Sequence, residues 1–510
     1  MANIFTNLAN GFGNWLGAQV APYINDALGI RGHILANYYT GDHRPQLKKR
    51  EGQPDDNITQ NFVGLAVDRS VSRLFKGGVN FVLPKSETGK KDDSGKPIEQ
   101  DTEQQIYIDK VWDLNKKEII LFQFGLHGAY LGTTYFKISP EGIVDPYTKE
   151  LYPRLIAVDP ETVRIKTAPE DMNDVEQYVI EYKYTEHRNG RDVEVEHREI
   201  TKHPSEDKED EAGVRYKEQA ETWVIEEWER AGGAAWELVS SVNWEYDFPP
   251  IIHCKNLPSL KSCYGDSDID DAINVQDKSN FVVSNTGKII KFHAHPETIG
   301  TGFSVKDMQA LPSGPGSFRS IPNPEAKVYN LEMESDLASS REFALDLRQS
   351  IFDIAREVDI SSMADKLGQL TNFGLQVLWS DAIDKNNTKR QLYGDALLEL
   401  NRRLLVLAGY EGEKSRPGSI QWGSPIPVNV MEEMTADEKA LNMGIIDKET
   451  VANRYFDRYG KKWEDIKKIV EEEKQKAMEE DANVGAQVLK NFKNGKGANA
   501  NTKPTRKPAG

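Results

Sequence analysis

Cysteine is nearly absent from this chain. Its 510 residues include two, Cys254 and Cys263, and one pair cannot staple a chain of this size, so both read as free thiols of a reducing cytosol. Long apolar runs are missing as well. No stretch reaches the about 18 apolar residues that mark a membrane-spanning helix. The opening residues, Met1-Ala2-Asn3-Ile4-Phe5, lack the basic start and apolar run of a secretory signal. Positive charge is in deficit: 64 Lys and Arg against 81 Asp and Glu give a net charge of −17. That argues against a broad basic face gripping nucleic acid. It is compatible both with an ordinary soluble acidic surface and with a wall past which DNA slides, because an acidic surface repels phosphate.

Motifs that carry a mechanism are missing too. There is no P-loop, no Gly-x-Gly-x-x-Gly running into a helix, no Gly-x-Ser-x-Gly, no His-Glu-x-x-His and no kinase-like set. No catalytic residue, cofactor or metal is therefore expected. Asp266, Asp268, Asp270 and Asp271 form a carboxylate cluster whose oxygens could hold Mg²⁺ or Ca²⁺. The EF-hand spacing is absent, and acidic residues at a helix start are favoured by its dipole in any case. His293, His295 and Glu297 lack the further ligands a zinc site needs.

What is there is a mixed α+β pattern. A helix is expected over 61–74, with Phe62, Leu65, Ala66, Arg69 and Arg73 at helical spacing, stopped by Gly77 and Gly78 before a strand at 79–83. Residues 85–100 are charged and Gly-rich and read as a loop. One helix is expected over 102–131, then a strand at 132–139. From 151 to 257 short β-branched and aromatic runs recur, interrupted by an acidic loop at 201–213. Helices are expected at 266–292 and 335–358, the second with Ser339 and Glu342 at capping-box spacing. The Pro- and Gly-rich stretch between them holds two strands, at 317–321 and 327–331. A further helical pattern begins near Asn372, with Leu375, Leu378, Ala382, Tyr393, Leu397, Leu400, Leu404 and Leu407, and breaks around 384–387. At about 1.5 Å per residue it spans roughly 50 Å, a rod that fits either an extended oligomeric assembly or an ordinary interdomain helix. Pro425 and Pro427 mark an edge strand within 419–430. Short helices are expected at 435–444, 448–457 and 463–480, and the basic stretch after 482 reads as disordered.

Several of these stretches resemble the portal proteins of tailed bacteriophages, in their siphophage-like branch. They are Asn61-Phe62-Val63-Gly64-Leu65-Ala66 through Phe81; Phe124-Gly125-Leu126-His127-Gly128 through Lys137; Leu155-Ile156-Ala157-Val158-Asp159-Pro160; Phe248-Pro249-Pro250-Ile251 with Tyr264-Gly265-Asp266; and Gly444-Ile445-Ile446-Asp447. The order of elements over about 35–480 carries the match. Two departures stand out. The stretch after the loop reads Asn372-Phe373-Gly374-Leu375 where the family favours small residues, and the segment between the stem helices is short.

The resemblance implies a ring-forming portal-type protomer. Its parts would be an N-terminal segment (1–34), an α/β wing (35–264, with a strand in 411–430), stem helices at 265–293 and 335–358, and a small α/β clip at 294–334. A tunnel loop (359–371), a long wing helix (372–410), a helical crown (431–480) and a disordered basic tail (481–510) would complete it. A head-to-tail ring of about twelve copies would close around a channel. Double-stranded DNA would be packaged and ejected through it without sequence specificity. The implied location is the capsid vertex of the virion, after assembly in the host cytoplasm. Implied partners are the terminase large subunit, a head-completion or adaptor protein, scaffold and the major capsid protein, and no membrane. Ser361, Lys366 and Gln369 would be DNA-facing loop positions. Lys278, Lys288 and Lys291 would line the channel, and Phe303, Lys306, Phe318 and Arg319 of the clip would dock the motor or connector. Two rivals are a metal-dependent hydrolase built on Asp266–Asp271 and an adaptor ring through which no DNA passes.

Overall fold

A computed structural model describes residues 29–425 apart from 50–54, 92–96, 210–214, 302–326, 332–336, 362–371 and a few isolated positions, then 430–448 and scattered residues to 470. The chain divides into two compact units, Met1–Ile426 and Pro427–Gly510.

The first unit opens with α1 (Gly29–Thr40) and α2 (Phe62–Leu74). The Asn61 side chain caps α2 by accepting the Gly64 N–H, which satisfies one of the donors a helix start leaves free. Val63, Val67, Val71 and Leu74 turn inward. Leu65 is exposed. Strand β1 (Val79–Val82) leads to a hairpin, β2 (Ser86–Lys91) and β3 (Pro97–Gln100), where a loop was expected. The single helix expected over 102–131 is two, α3 (Glu103–Leu114) and α4 (Lys117–Leu131). Between them Lys116 adopts φ 54°, and the Asn115 amide donates to the carbonyls of Val111 and Pro153. Helix α4 ends at Gly132, φ 85°, where a Cβ would lie 2.4 Å from the Gly265 carbonyl oxygen. Only glycine fits that left-handed, crowded position.

The β region continues with β4 (Thr133–Val144), β5 (Leu151–Val158), β6 (Val163–Thr167), β7 (Val175–Arg188) and β8 (Arg191–Lys202). A hairpin of β9 (Ser205–Glu209) and β10 (Arg215–Gln219) replaces much of the acidic loop expected at 201–213. Then come β11 (Trp223–Ala231), β12 (Glu237–Trp244) and β13 (Ile251–Lys255). They form a five-stranded sheet, β12-β11-β8-β7-β6, and a three-stranded sheet, β13-β4-β5. All of these pairings are antiparallel.

After a 3₁₀ turn at Asp270–Ala272 the chain forms α5 (Ile273–Ala294), then β14 (Glu297–Thr301) and β15 (Lys327–Leu331), which pair, and α6 (Leu337–Ile354). The strand expected at 317–321 lies outside the described residues. Helix α6 starts before Ser339, so the expected Ser339/Glu342 cap does not form its start. Ile273 of α5 and Ile351 of α6 share one core with Leu35, Val63 and Val67. The start of one helix therefore lies against the end of the other, and the two are antiparallel.

The long helical stretch is α7 (Asn372–Leu378) and α8 (Ser380–Leu407), separated at buried Trp379 and not at 384–387. Helix α8 is 28 residues long, about 42 Å. It packs Tyr393, Leu397, Leu400 and Leu404 onto Trp112, Phe124 and Phe136, and the Trp112 indole donates to Asn401 Oδ1 at 2.8 Å. The last strand, β16 (Ser419–Trp422), is shorter than the expected 419–430 and pairs with β1. Both cysteines are buried, and they form no disulfide with each other. In the second unit α9 (Val430–Asn442) begins earlier than the helix expected at 435–444. Most of 448–480 and all of the basic tail lie outside the described residues.

Candidate functional site

The chemistry of the first unit concentrates where α2, α5, α6 and α8 meet. Asp268 lies in the turn before α5, its N–H held by the Ala129 carbonyl at 2.9 Å. Its buried carboxylate accepts from Lys389 Nζ at 2.5 Å and Asn256 Nδ2 at 3.0 Å, and Lys385 Nζ lies 3.1 Å away. Lys389 also donates to Ser70 Oγ of α2 at 2.9 Å, and Lys385 to the Ala355 carbonyl at the end of α6 at 2.7 Å. Tyr393 donates to Asn256 Oδ1 at 3.2 Å. Lys385, Lys389 and Tyr393 are four residues apart on α8 and share one face. Burial alone would push the Asp268 carboxyl up. The charges of Lys385 and Lys389, with the hydrogen bonds from Lys389 and Asn256, outweigh that and hold it well below the usual carboxylate range. Desolvation brings the Lys389 ammonium down to about 8 against the pull of Asp268.

This network overturns the metal-site reading of the aspartate cluster. Asp268 is taken by two ammonium groups, Asp270 by Arg31, and Asp266 and Asp271 are exposed. Among the described residues no group of His, Cys, Asp and Glu is arranged to hold a metal. The cluster also does not cap a helix by its dipole alone: Asp268 is the ionic hub of the unit.

A second clamp grips the chain on either side of residues 362–371. Arg73 of α2 pairs with Glu357 at 2.7 Å, both buried. Arg69 donates to the Val358 carbonyl at 2.9 Å, and Arg348 to Asp359 Oδ1 at 2.8 Å. The Arg73 guanidinium lies 4.6 Å from the centre of the Trp379 ring, which follows α7. Arg356 takes φ 51° as the chain leaves α6. The segment 357–359 and the residue that follows α7 are thus both held on α2.

Helix α5 is zipped to the segment before α2. Gln276 Oε1 accepts from Phe62 N at 3.1 Å, Asn280 Oδ1 from Gln60 N at 3.0 Å, and Ser284 Oγ from Ile58 N at 2.8 Å. Lys291 extends the same stripe and pairs with Asp56 at 2.7 Å. The opposite face is free: Asn274, Lys278, Phe281 and Asn285 are exposed there, and the Lys278 ammonium lies 4.9 Å from the Phe281 ring centre. Lys288 is half-buried at its edge.

Of the residues singled out from sequence, Lys278 and Lys288 thus share one side of α5, while Lys291 is engaged by Asp56. Ser361 is exposed, its N–H 3.3 Å from Asp359 Oδ1. Lys366, Gln369, Phe303, Lys306, Phe318 and Arg319 lie outside the described residues. The sequence reading missed Lys385, Lys389 and the arginines of the clamp. A signal existed: Lys385, Lys389 and Tyr393 recur at four-residue steps in register with the apolar stripe of α8.

The chain matches the family model described as phage portal protein, SPP1 Gp6-like, over residues 30–479. No curated protein matches it. The match spans the two sheets, the α5–α6 pair and α8. The chain belongs to the SPP1 Gp6-like family of phage portal proteins, structural and non-enzymatic conduits for DNA packaging at a capsid vertex.

Proposed function

We propose that the chain closes into a head-to-tail ring of about twelve copies, with α5 and α6 as the antiparallel stem around the DNA passage. The observation that carries this is the apolar surface the pair leaves open. Phe281, Ile290, Phe343, Leu345 and Ile354 are all exposed along these two helices, on more than one side of each. Apolar side chains left open on opposite sides of the pair fit a subunit that meets a neighbour on each flank, as a head-to-tail ring requires. The hairpin of β14 and β15 with residues 302–326 is the clip, and Phe303, Lys306, Phe318 and Arg319 on it dock the terminase large subunit and later a head-completion protein. Residues 35–264 with β16 form the wing, α8 the long helix that bridges wing and stem, and 431–480 the crown. Scaffold and the major capsid protein contact the ring during assembly in the host, and the finished ring resides at the virion vertex.

Ser361, Lys366 and Gln369 face the DNA in the tunnel loop, and Lys278 and Lys288 face it from the free side of α5. Lysines touch phosphate without reading bases, and the acidic balance of the chain keeps the contacts weak enough for sliding. The joint built on Asp268 and the clamp built on Arg73 give this loop a rigid base. The test is a packaging assay with the triple variant Ser361→Ala, Lys366→Ala, Gln369→Ala. Packaged DNA per capsid should fall while ring mass stays constant. Undiminished packaging would remove the loop from the reading.

A further inference from the structure

The two flanks of the α5–α6 pair carry opposite charge. On α6, Ala344, Leu347, Ile351 and Ala355 make the packed face. At 100° per residue the opposite side of the helix carries Glu342, Asp346, Gln349 and Asp353, at steps of four, three and four. All four are exposed, and no Lys or Arg interrupts the stripe. On the other flank, the segment zipped to α5 presents Arg44, Lys48 and Lys49, all exposed, with no carboxylate between them; Asp55 of the same segment lies near Lys49. This segment is fixed in place. The Leu47 N–H donates to Asn57 Oδ1 at 2.7 Å, Asn57 Nδ2 returns a bond to the Leu47 carbonyl at 3.0 Å, and buried His43 is bonded to Asn280 at 2.8 Å.

The two charged surfaces lie on different sides of α5. The segment uses the Gln276–Asn280–Ser284 stripe, whereas Val275, on another face, shares the core of Ile351 in α6.

We propose that the acidic stripe of α6, Glu342, Asp346 and Asp353, docks on Arg44, Lys48 and Lys49 of a second copy of this chain. Each copy then offers one acidic and one basic flank, which is what a heterologous contact repeated around a closed ring requires. The proposal rests on the ring reading above and adds which surfaces meet and why the contact has a direction.

The experiment uses two full-length charge reversals, Arg44→Glu/Lys48→Glu/Lys49→Glu and Glu342→Lys/Asp346→Lys/Asp353→Lys, with native mass spectrometry as readout. Alone, each variant faces itself with like charges, and subunit association should weaken at least about tenfold. Mixed in equal amounts, each variant supplies what the other lacks, and rings of alternating composition with an even copy number should return. Wild-type-like rings from either variant alone would overturn the proposal. So would two folded variants that fail to assemble when mixed. So would rings that persist in the basic-loop variant while its binding of a DNA fragment is lost, since Arg44, Lys48 and Lys49 would then serve DNA. If a variant does not fold, wild-type rings decide: raising salt from about 0.05 M to about 1 M shortens the screening length several-fold and should loosen them. Salt-insensitive rings would overturn the pairing. Wild-type protein that forms no ring under any condition would fail the ring reading itself.

Discussion

Replacing Asp268 by Asn leaves two buried ammonium groups without a counter-charge. The side chains of Lys385 and Lys389 are 3% and 1% exposed, and they approach the carboxylate to 3.1 and 2.5 Å. At an effective dielectric of about 20, each attraction is roughly 5–7 kcal/mol, much of it offset by the cost of taking the charges out of water. Breaking such a buried cluster from the side of its single shared partner costs about 3–5 kcal/mol, a large fraction of the about 5–15 kcal/mol that holds a folded chain together. Lys389→Met is the informative contrast. It removes the cation that burial already disfavours, leaves Asp268 balanced by Lys385, and fills most of the vacated volume, so its cost should be about 1–2 kcal/mol. Urea unfolding followed by tryptophan fluorescence measures both. With a slope of about 3 kcal/mol per molar, the Asn variant's midpoint should fall by about 1–1.7 M. A midpoint within about 0.3 M of wild type, or a Met variant as damaged as the Asn variant, would refute the claim that Asp268 is the hub.

The same residue predicts an acid dependence. Its folded pKa is depressed, so its contribution is fully present above the unfolded carboxyl value near about 3.9 and is lost as pH falls through the folded value. The stability gap between wild type and Asp268→Asn, complete at neutral pH, should shrink below about pH 4; a gap constant to lower pH would contradict this. Gly132→Ala places a Cβ 2.4 Å from the Gly265 carbonyl at φ 85° and should cost at least about 2 kcal/mol. Gly233→Ala, at φ 79° with open space around it, isolates the backbone part and should cost about 1 kcal/mol. Equal losses, read from urea midpoints, would remove the close contact from the account. In the clamp, Arg73→Met strands the Glu357 carboxylate and should speed amide hydrogen exchange over 357–361; unchanged protection there would show that the clamp does not steady the loop.

Much of the architecture is legible in local signals. Asn61 before an apolar stripe announces α2, Gly77 and Gly78 announce its end, and alternating β-branched and aromatic residues announce the sheets. The failures have physical causes. Asp384-Lys385-Asn386-Asn387 reads as a solvated break, yet α8 runs straight through because Asp268 and the Ala355 carbonyl, far away in sequence, take up Lys385. The hairpins at 86–100 and 205–219 are charged and show no apolar alternation, so backbone pairing alone reveals them. In α2 the buried stripe follows Val63, Val67 and Val71 rather than Leu65, which is equally apolar. At the joint, the apolar steps of α8 were visible, but the meaning of lysines in register with them depends on a carboxylate about a hundred residues earlier in the chain. The aspartate cluster looked like oxygen ligands for the same reason: the sequence does not display which cations fold against it.

The central claim is that this chain, as a member of a portal family, is a ring subunit around a DNA passage, with the proposed stem of α5 and α6 lining it. Native mass spectrometry of the purified protein, with electron-microscope images of the same sample, tests it directly. The account predicts closed rings of near twelve copies with a central hole that admits a duplex and with α5 and α6 lining it. A compact monomer that never assembles, even with scaffold or at high concentration, would contradict it.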